Sequence, residues 1–130
     1  MTEMKNTSLS NAEYINIESY YPNGKGVKTP VWSASENGKL YVWTSADSYK
    51  VKRISQNSKV KVCPSDAMGK PLGEWIDATA QTHTSQQAVK TQVKRMRAKY
   101  GGKFWGYYML GKLRRTSIAV IEIELSLSGN

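Results

Sequence analysis

The chain of 130 residues holds one cysteine, one histidine and one phenylalanine. A single cysteine, Cys63, forms no internal disulfide, and nothing around it has metal-ligand spacing. It alternates with Val60 and Val62, so it faces the other side of its strand, and the expected role is a reduced structural thiol. One histidine, His83, supports neither a zinc site nor a Ser-His-Asp triad, and a strand-end or surface role is expected. Acidic residues are scarce as well: ten Asp and Glu stand against 19 Lys and Arg, for a net charge of +9. No apolar run is long enough to span a bilayer, and the start lacks the positive-then-apolar order of a signal segment. The expectation is a soluble, cytoplasmic protein made of one domain over residues 1–130, with residues 1–12 as a loose lead or a short helix.

A charge of +9 is compatible with nucleic acid, a membrane surface or an anionic cofactor. Its distribution separates these. Lys90, Lys94 and Arg97 follow helical spacing, while Val89, Val93, Met96 and Tyr100 form a separate apolar stripe. That pattern predicts a helix with a solvated basic face. At 39% hydrophobic residues the core is lean, and a small barrel of this kind completes its burial by dimerising.

What the sequence does contain is a succession of alternating segments. Tyr14 to Tyr20 alternates Ile15 and Ile17 with polar neighbours and predicts a strand. Val27 to Ser35 is the next, with Pro30 inside it, which demands a sheet edge or a bulge at that point. Asn37-Gly38 predicts a tight hairpin into Leu40 to Thr44. Asp47 or Ser48 caps a helix over about 48–57, with Val51 and Ile54 inward. Strands follow at Lys59 to Asp66 and Leu72 to His83. Thr84 and Gln87 fit a capping box for a helix from Ser85 to Tyr100, which Gly101-Gly102 ends. Lys103 to Leu113 is crowded with aromatics and predicts an irregular helix, either a core plug or dimer surface or a wall of the substrate pocket. Ser117 to Leu127 is the last strand, with Ala119, Ile121, Ile123 and Leu125 inward and Val120, Glu122 and Glu124 outward. Six mostly antiparallel strands with one buried face close into a small barrel.

One stretch carries chemistry. From Lys28 to Val62, two strands bearing Trp32 and Trp43 lead to Thr44, Ser45, Asp47 and Ser48 and then to a helix start with Lys50, Lys52 and Arg53. Hydroxyls, open N–H groups and a lysine make a phosphate cradle, and the tryptophans offer flat surfaces. The pattern points to a phosphorylated, ring-bearing cofactor. The bland readings are barrel packing for Trp32 and Trp43, capping for Thr44, Ser45 and Ser48, and a solvated helix face for Lys52 and Arg53. No general acid or base stands out; Tyr41, Tyr107, Tyr108 or water are the available proton donors.

With Gly24, Thr29-Pro30-Val31-Trp32, the Asn37-Gly38-Lys39-Leu40-Tyr41 hairpin, Thr44-Ser45, Lys50 and Arg53 in this order, the chain resembles the split β-barrel flavin and deazaflavin reductases. More closely, it is similar to the pyridoxamine-phosphate-oxidase-like branch of F420-dependent enzymes. The resemblance covers Tyr14 to Ala80 and continues to the final strand. It implies a mainly β fold with helices, the six-stranded antiparallel FMN-binding split barrel, working as a homodimer with cofactor clefts between subunits. It implies F420 or FMN as cofactor and hydride or electron transfer to a small organic substrate. It places the cofactor against Thr29, Pro30, Val31, Trp32, Trp43, Thr44, Ser45, Ser48, Lys50 and Arg53, with Lys50 as the charged phosphate ligand and Trp75 near a cleft. The chain departs from the true pyridoxamine phosphate oxidases, which carry arginines at the positions of Thr29 and Tyr49 and a C-terminal Trp and Arg-x-His motif that has no counterpart after Leu113. Two other classes stay open: a non-catalytic carrier or sensor of a flavin-like cofactor, and a basic nucleic-acid-binding barrel with aromatics on an exposed strand face.

Overall fold

A computed structural model describes residues 9–106 and 117–126. The strands are β1 (Tyr14–Tyr20), β2 (Gly26–Glu36), β3 (Lys39–Ser45), β4 (Lys59–Ser65), β5 (Ile76–His83) and β6 (Ile118–Leu125). The helices are α1 (Tyr49–Gln56), between β3 and β4, and α2 (Gln86–Tyr100), between β5 and β6. The six strands close in the order β1-β2-β3-β6-β5-β4, and every neighbouring pair is antiparallel.

Two-residue periodicity fills the interior. Ile15, Ile17, Leu40, Val42, Val60, Val62, Ala78, Ala80, Ile121, Ile123 and Leu125 point inward, and Leu9 and Ile54 join them. A second cluster lies outside the barrel wall, where the α2 stripe of Val89, Val93, Met96 and Tyr100 packs on Trp32, Ala34 and Trp43. Phe104, in a helical turn at residues 102–106, completes that layer. The predicted solvated face is present: Lys90, Lys94 and Arg97 are all exposed. At the hairpin tip Asn37 and Gly38 have φ of 55° and 80°, the positive values that this dipeptide supplies most readily.

β2 leads a double life that shapes the molecule. From Gly26 to Trp32 its registered partner is β1; opposite β3 it pairs only from Ser33 to Glu36. β3 continues past this point, and Trp43, Thr44 and Ser45 pair with β6 alone. A gap therefore opens between the first half of β2 and the last residues of β3. Pro30, which has no N–H to give, sits on the stretch with no β3 partner, so the edge that its presence demanded exists inside a closed barrel.

Several expectations are corrected. β5 begins at Ile76, not Leu72. The preceding loop is held by the Asp66 carboxylate, which accepts from the N–H groups of Met68 and Lys70, and by Leu72 N–H donating to Pro64 O. Leu72 stays 61% exposed. The α2 cap is Ser85, whose hydroxyl accepts from Ala88 N–H at 3.1 Å. Thr84 and Gln87 form no capping box; Gln87 bonds Thr91 instead. Ser48 occupies the cap position of α1 without a side-chain cap bond. Val120 faces outward as predicted, yet is buried. Cys63 is buried too. Of the aromatic segment 103–113, residues beyond 106 lie outside the described residues, Tyr107 and Tyr108 among them.

Candidate functional site

The β2–β3 gap is a cavity of about 340 Å³, within the roughly 300–1,000 Å³ of small-molecule sites. Thr29, Pro30, Val31 and Trp32 line it from β2, Trp43 and Thr44 from β3, Lys50 from α1 and Tyr14 from β1. Seven of the ten predicted cofactor residues thus meet around one space, because the strands that carry them part there.

Lys50 is the one charged residue of that lining. Its Nζ donates to Thr44 Oγ1 at 3.1 Å, and among the described residues it has no ion pair with a carboxylate. Burial pushes its pKa down, and the positive charge of Arg53 adds to the effect. A half-buried cation paired only with a hydroxyl is under-satisfied, and an anion beside it would relieve the cost. Ser48 supplies a second such group: its Oγ is buried and has no hydrogen-bond partner among the described residues. Ser45 Oγ is occupied differently, accepting from Asp47 N–H at 3.3 Å. Thr44 and Lys50, both in the lining, are therefore a donor pair that suits a phosphate.

The aromatic walls are fixed from behind. Trp32 stacks on Tyr100, with ring centroids 4.5 Å apart and planes 10° from parallel. Tyr14 meets Trp32 edge-on at 6.3 Å. Trp43 is almost wholly buried and meets Phe104 edge-on at 5.1 Å. For Trp43 the packing role and the wall role coexist.

Arg53 does not reach the cavity. Its Nε donates to Ser19 Oγ at 2.7 Å, its guanidinium lies over the Tyr21 ring, and the side chain is buried. Ser45 and Ser48 also stand outside the lining. Trp75 lies beneath Lys28 rather than in the cavity. Tyr41 is covered by the Arg95 guanidinium at 3.6 Å, and His83 pairs with Glu122 at 3.1 Å. Lys52 is exposed over Tyr49. Tyr14 was missed from sequence; its only signal is a strand position opposite Trp32. Among the described residues no group of three or more His, Cys, Asp or Glu is placed to hold a metal, and no helix is long and apolar enough to cross a membrane.

This architecture is a six-stranded antiparallel split β-barrel. Three solved structures show the likeness. The heme storage protein HutZ from Vibrio cholerae superposes with a TM-score of 0.69 at 10% identity, over 98% of this chain and 90% of that one. A candidate pyridoxamine 5'-phosphate oxidase from Listeria innocua gives 0.63 at 11% identity, over 92% and 89%. An F420 reductase gives 0.60 at 13% identity, over 92% and 91%. No protein-family model matches the chain, and no curated protein sequence does.

Proposed function

We propose that the cavity takes a phosphorylated, ring-bearing redox cofactor, F420 or FMN, and that the protein is an oxidoreductase acting on a small organic substrate. The observation that carries this reading is Lys50: a half-buried cation bonded to Thr44 at one end of a space whose other walls are Trp32, Trp43 and Tyr14. Thr44 and Lys50 would hold the phosphate, and the backbone of Pro30 to Trp32 would run along the ring. When bound, such a cofactor supplies hydride or electron transfer, and the protein contributes placement and electrostatics. The likeness to an F420 reductase supports this reading. HutZ is described as a heme storage protein, so haem is the competing ligand; of the haem-iron ligand types, the described lining here offers a tyrosine, Tyr14, and no His, Cys or Met. The working form is proposed to be a cytoplasmic homodimer with one cleft at each subunit boundary.

Titration of the purified protein with FMN, F420 and haem, each followed by fluorescence or absorbance, tests the assignment. Saturable binding of FMN or F420 is expected. Binding of haem alone, or of none of the three, overturns it. Turnover with reduced F420, or with NAD(P)H and FMN, then separates an enzyme from a carrier.

A further inference from the structure

The β1–β2 ladder ends at the pair Tyr14–Trp32. Beyond that pair, two side chains from the last turn of α2 continue the bonding in place of a strand. Lys99 Nζ donates to Ala12 O and to Ser33 O, each at 2.6 Å. The Tyr100 hydroxyl accepts from Ser33 N–H at 3.1 Å. Its own proton lies within reach of Glu13 O at 2.6 Å and Ser33 O at 2.9 Å. The helix thereby clamps the chain at Ser33, one residue after Trp32.

The same tyrosine also controls a ring. Its phenol plane covers the Trp32 indole at 4.5 Å and 10°. Tyr100 itself is no part of the cavity lining, whereas Trp32 is. A tryptophan side chain has two torsions, and a parallel neighbour that is itself pinned at its far end removes most of that freedom. The order of contacts is thus α2 backbone, Tyr100 ring, Trp32 ring, cavity.

We propose that Tyr100 is a positioning residue for the ligand site: it holds the Trp32 indole in its wall orientation, so that α2 governs recognition of a ligand's flat ring without touching the ligand. This rests on the cofactor reading given above. Tyr100 should then affect ring binding through Trp32 and through nothing else.

The test is a double-mutant cycle with FMN as the probe, or F420 if that is the cofactor bound, read by fluorescence titration on Trp32→Leu, Tyr100→Leu and the double variant. Tyr100→Leu is expected to weaken binding about threefold to tenfold, the equivalent of one aromatic stack, and to reduce quenching of the bound cofactor. In the Trp32→Leu background the same change should cost nothing further. An undiminished loss in that background, or unchanged affinity in the single variant, overturns the proposal. If Tyr100→Leu fails to fold, Tyr100→Phe takes its place: it keeps the ring, removes the hydroxyl's bonds, and must show a smaller loss that vanishes with Trp32→Leu. If the wild type binds neither cofactor, the cofactor reading has failed, and the ligand-free protein still decides the contact. Tyr100→Phe must then alter the long-wavelength tryptophan bands of the near-ultraviolet circular dichroism, which tyrosine does not share, and leave those bands of Trp32→Leu unaltered; unchanged tryptophan bands in the wild-type background, or an equal change in both, sink it.

Discussion

Lys50 and Arg53 stand three positions apart on one helix, and in sequence they look like two copies of one feature. Their surroundings part them. Lys50 ends at Thr44 beside the cavity, while Arg53 gives its Nε–H to Ser19 and its flat face to Tyr21. A helix start with hydroxyls before it says that a cation will be present; it does not say which cation the barrel rim will absorb. Lys50→Ala is expected to weaken FMN or F420 binding by about 1.5–3 kcal/mol, the worth of a hydrogen bond to a charged group. Equal affinity of variant and wild type for both cofactors would remove the phosphate role. Lys99 makes a different prediction. Burial pulls its pKa down to about 8, against the upward pull of Glu13. Between about pH 8 and 10.5 the unfolded chain keeps this proton and the folded chain has released it, so Lys99 favours folding more as pH rises through that window. Tyr100 works in the opposite sense only above pH 10, since its pKa is raised to about 12 by burial. Thermal melts from pH 8 to 10 should therefore show the wild type gaining on Lys99→Met, and a constant gap would contradict the buried cation.

Elements were legible where one face is apolar and the ends carry turn chemistry. Ile15 and Ile17 in β1, the Asn37-Gly38 turn and the α2 stripe read directly, since each depends on neighbours within a few residues. β5 was overextended because Leu72 and Trp75 continue an apolar rhythm, whereas a carboxylate four residues before Lys70 ties the chain into a loop instead. The α2 start shifted by one residue for a similar reason: Thr84 and Ser85 both can cap, and only the geometry of the strand exit decides. Ser85→Ala should cost about 1 kcal/mol, and Thr84→Ala close to nothing. Denaturant melts of the two variants separate them, and the reverse order would return the cap to Thr84. The gap between β2 and β3 was not legible. Pro30 marks a strand that cannot be fully paired, but where β3 leaves β2 is set by its register with β6, some 80 residues away in sequence. For that reason Tyr14 and Tyr100 escaped notice while Thr29 to Trp32 did not.

At the scale of the whole molecule, the barrel closes its own sheet edges and still leaves apolar side chains in water. Met68 is 89% exposed, Tyr49 72% and Leu72 61%. They lie next to residues that line the cavity: Tyr49 directly precedes Lys50, and the Met68–Leu72 loop comes by Gly69 toward Pro30 and is tied to β1 by Asn16 Nδ2 donating to Gly69 O at 2.6 Å. These exposed apolar side chains offer a surface that a second copy of the chain, the partner proposed above, would bury. The positive charge does not oppose this, because the strongest basic run, Lys90, Lys94 and Arg97, lies on α2, whose apolar stripe covers the barrel wall at Ala34 and Trp43. Sedimentation equilibrium is expected to give twice the 14.6 kDa of one chain. Met68→Asp with Leu72→Asp should shift the protein to the monomer and weaken cofactor binding in the same step, since the charges would sit in the surface that the second copy buries. A folded monomeric variant that binds FMN or F420 as tightly as the wild type would show that a single barrel holds the complete site, and the role of the second copy would fall while that of Lys50 stood.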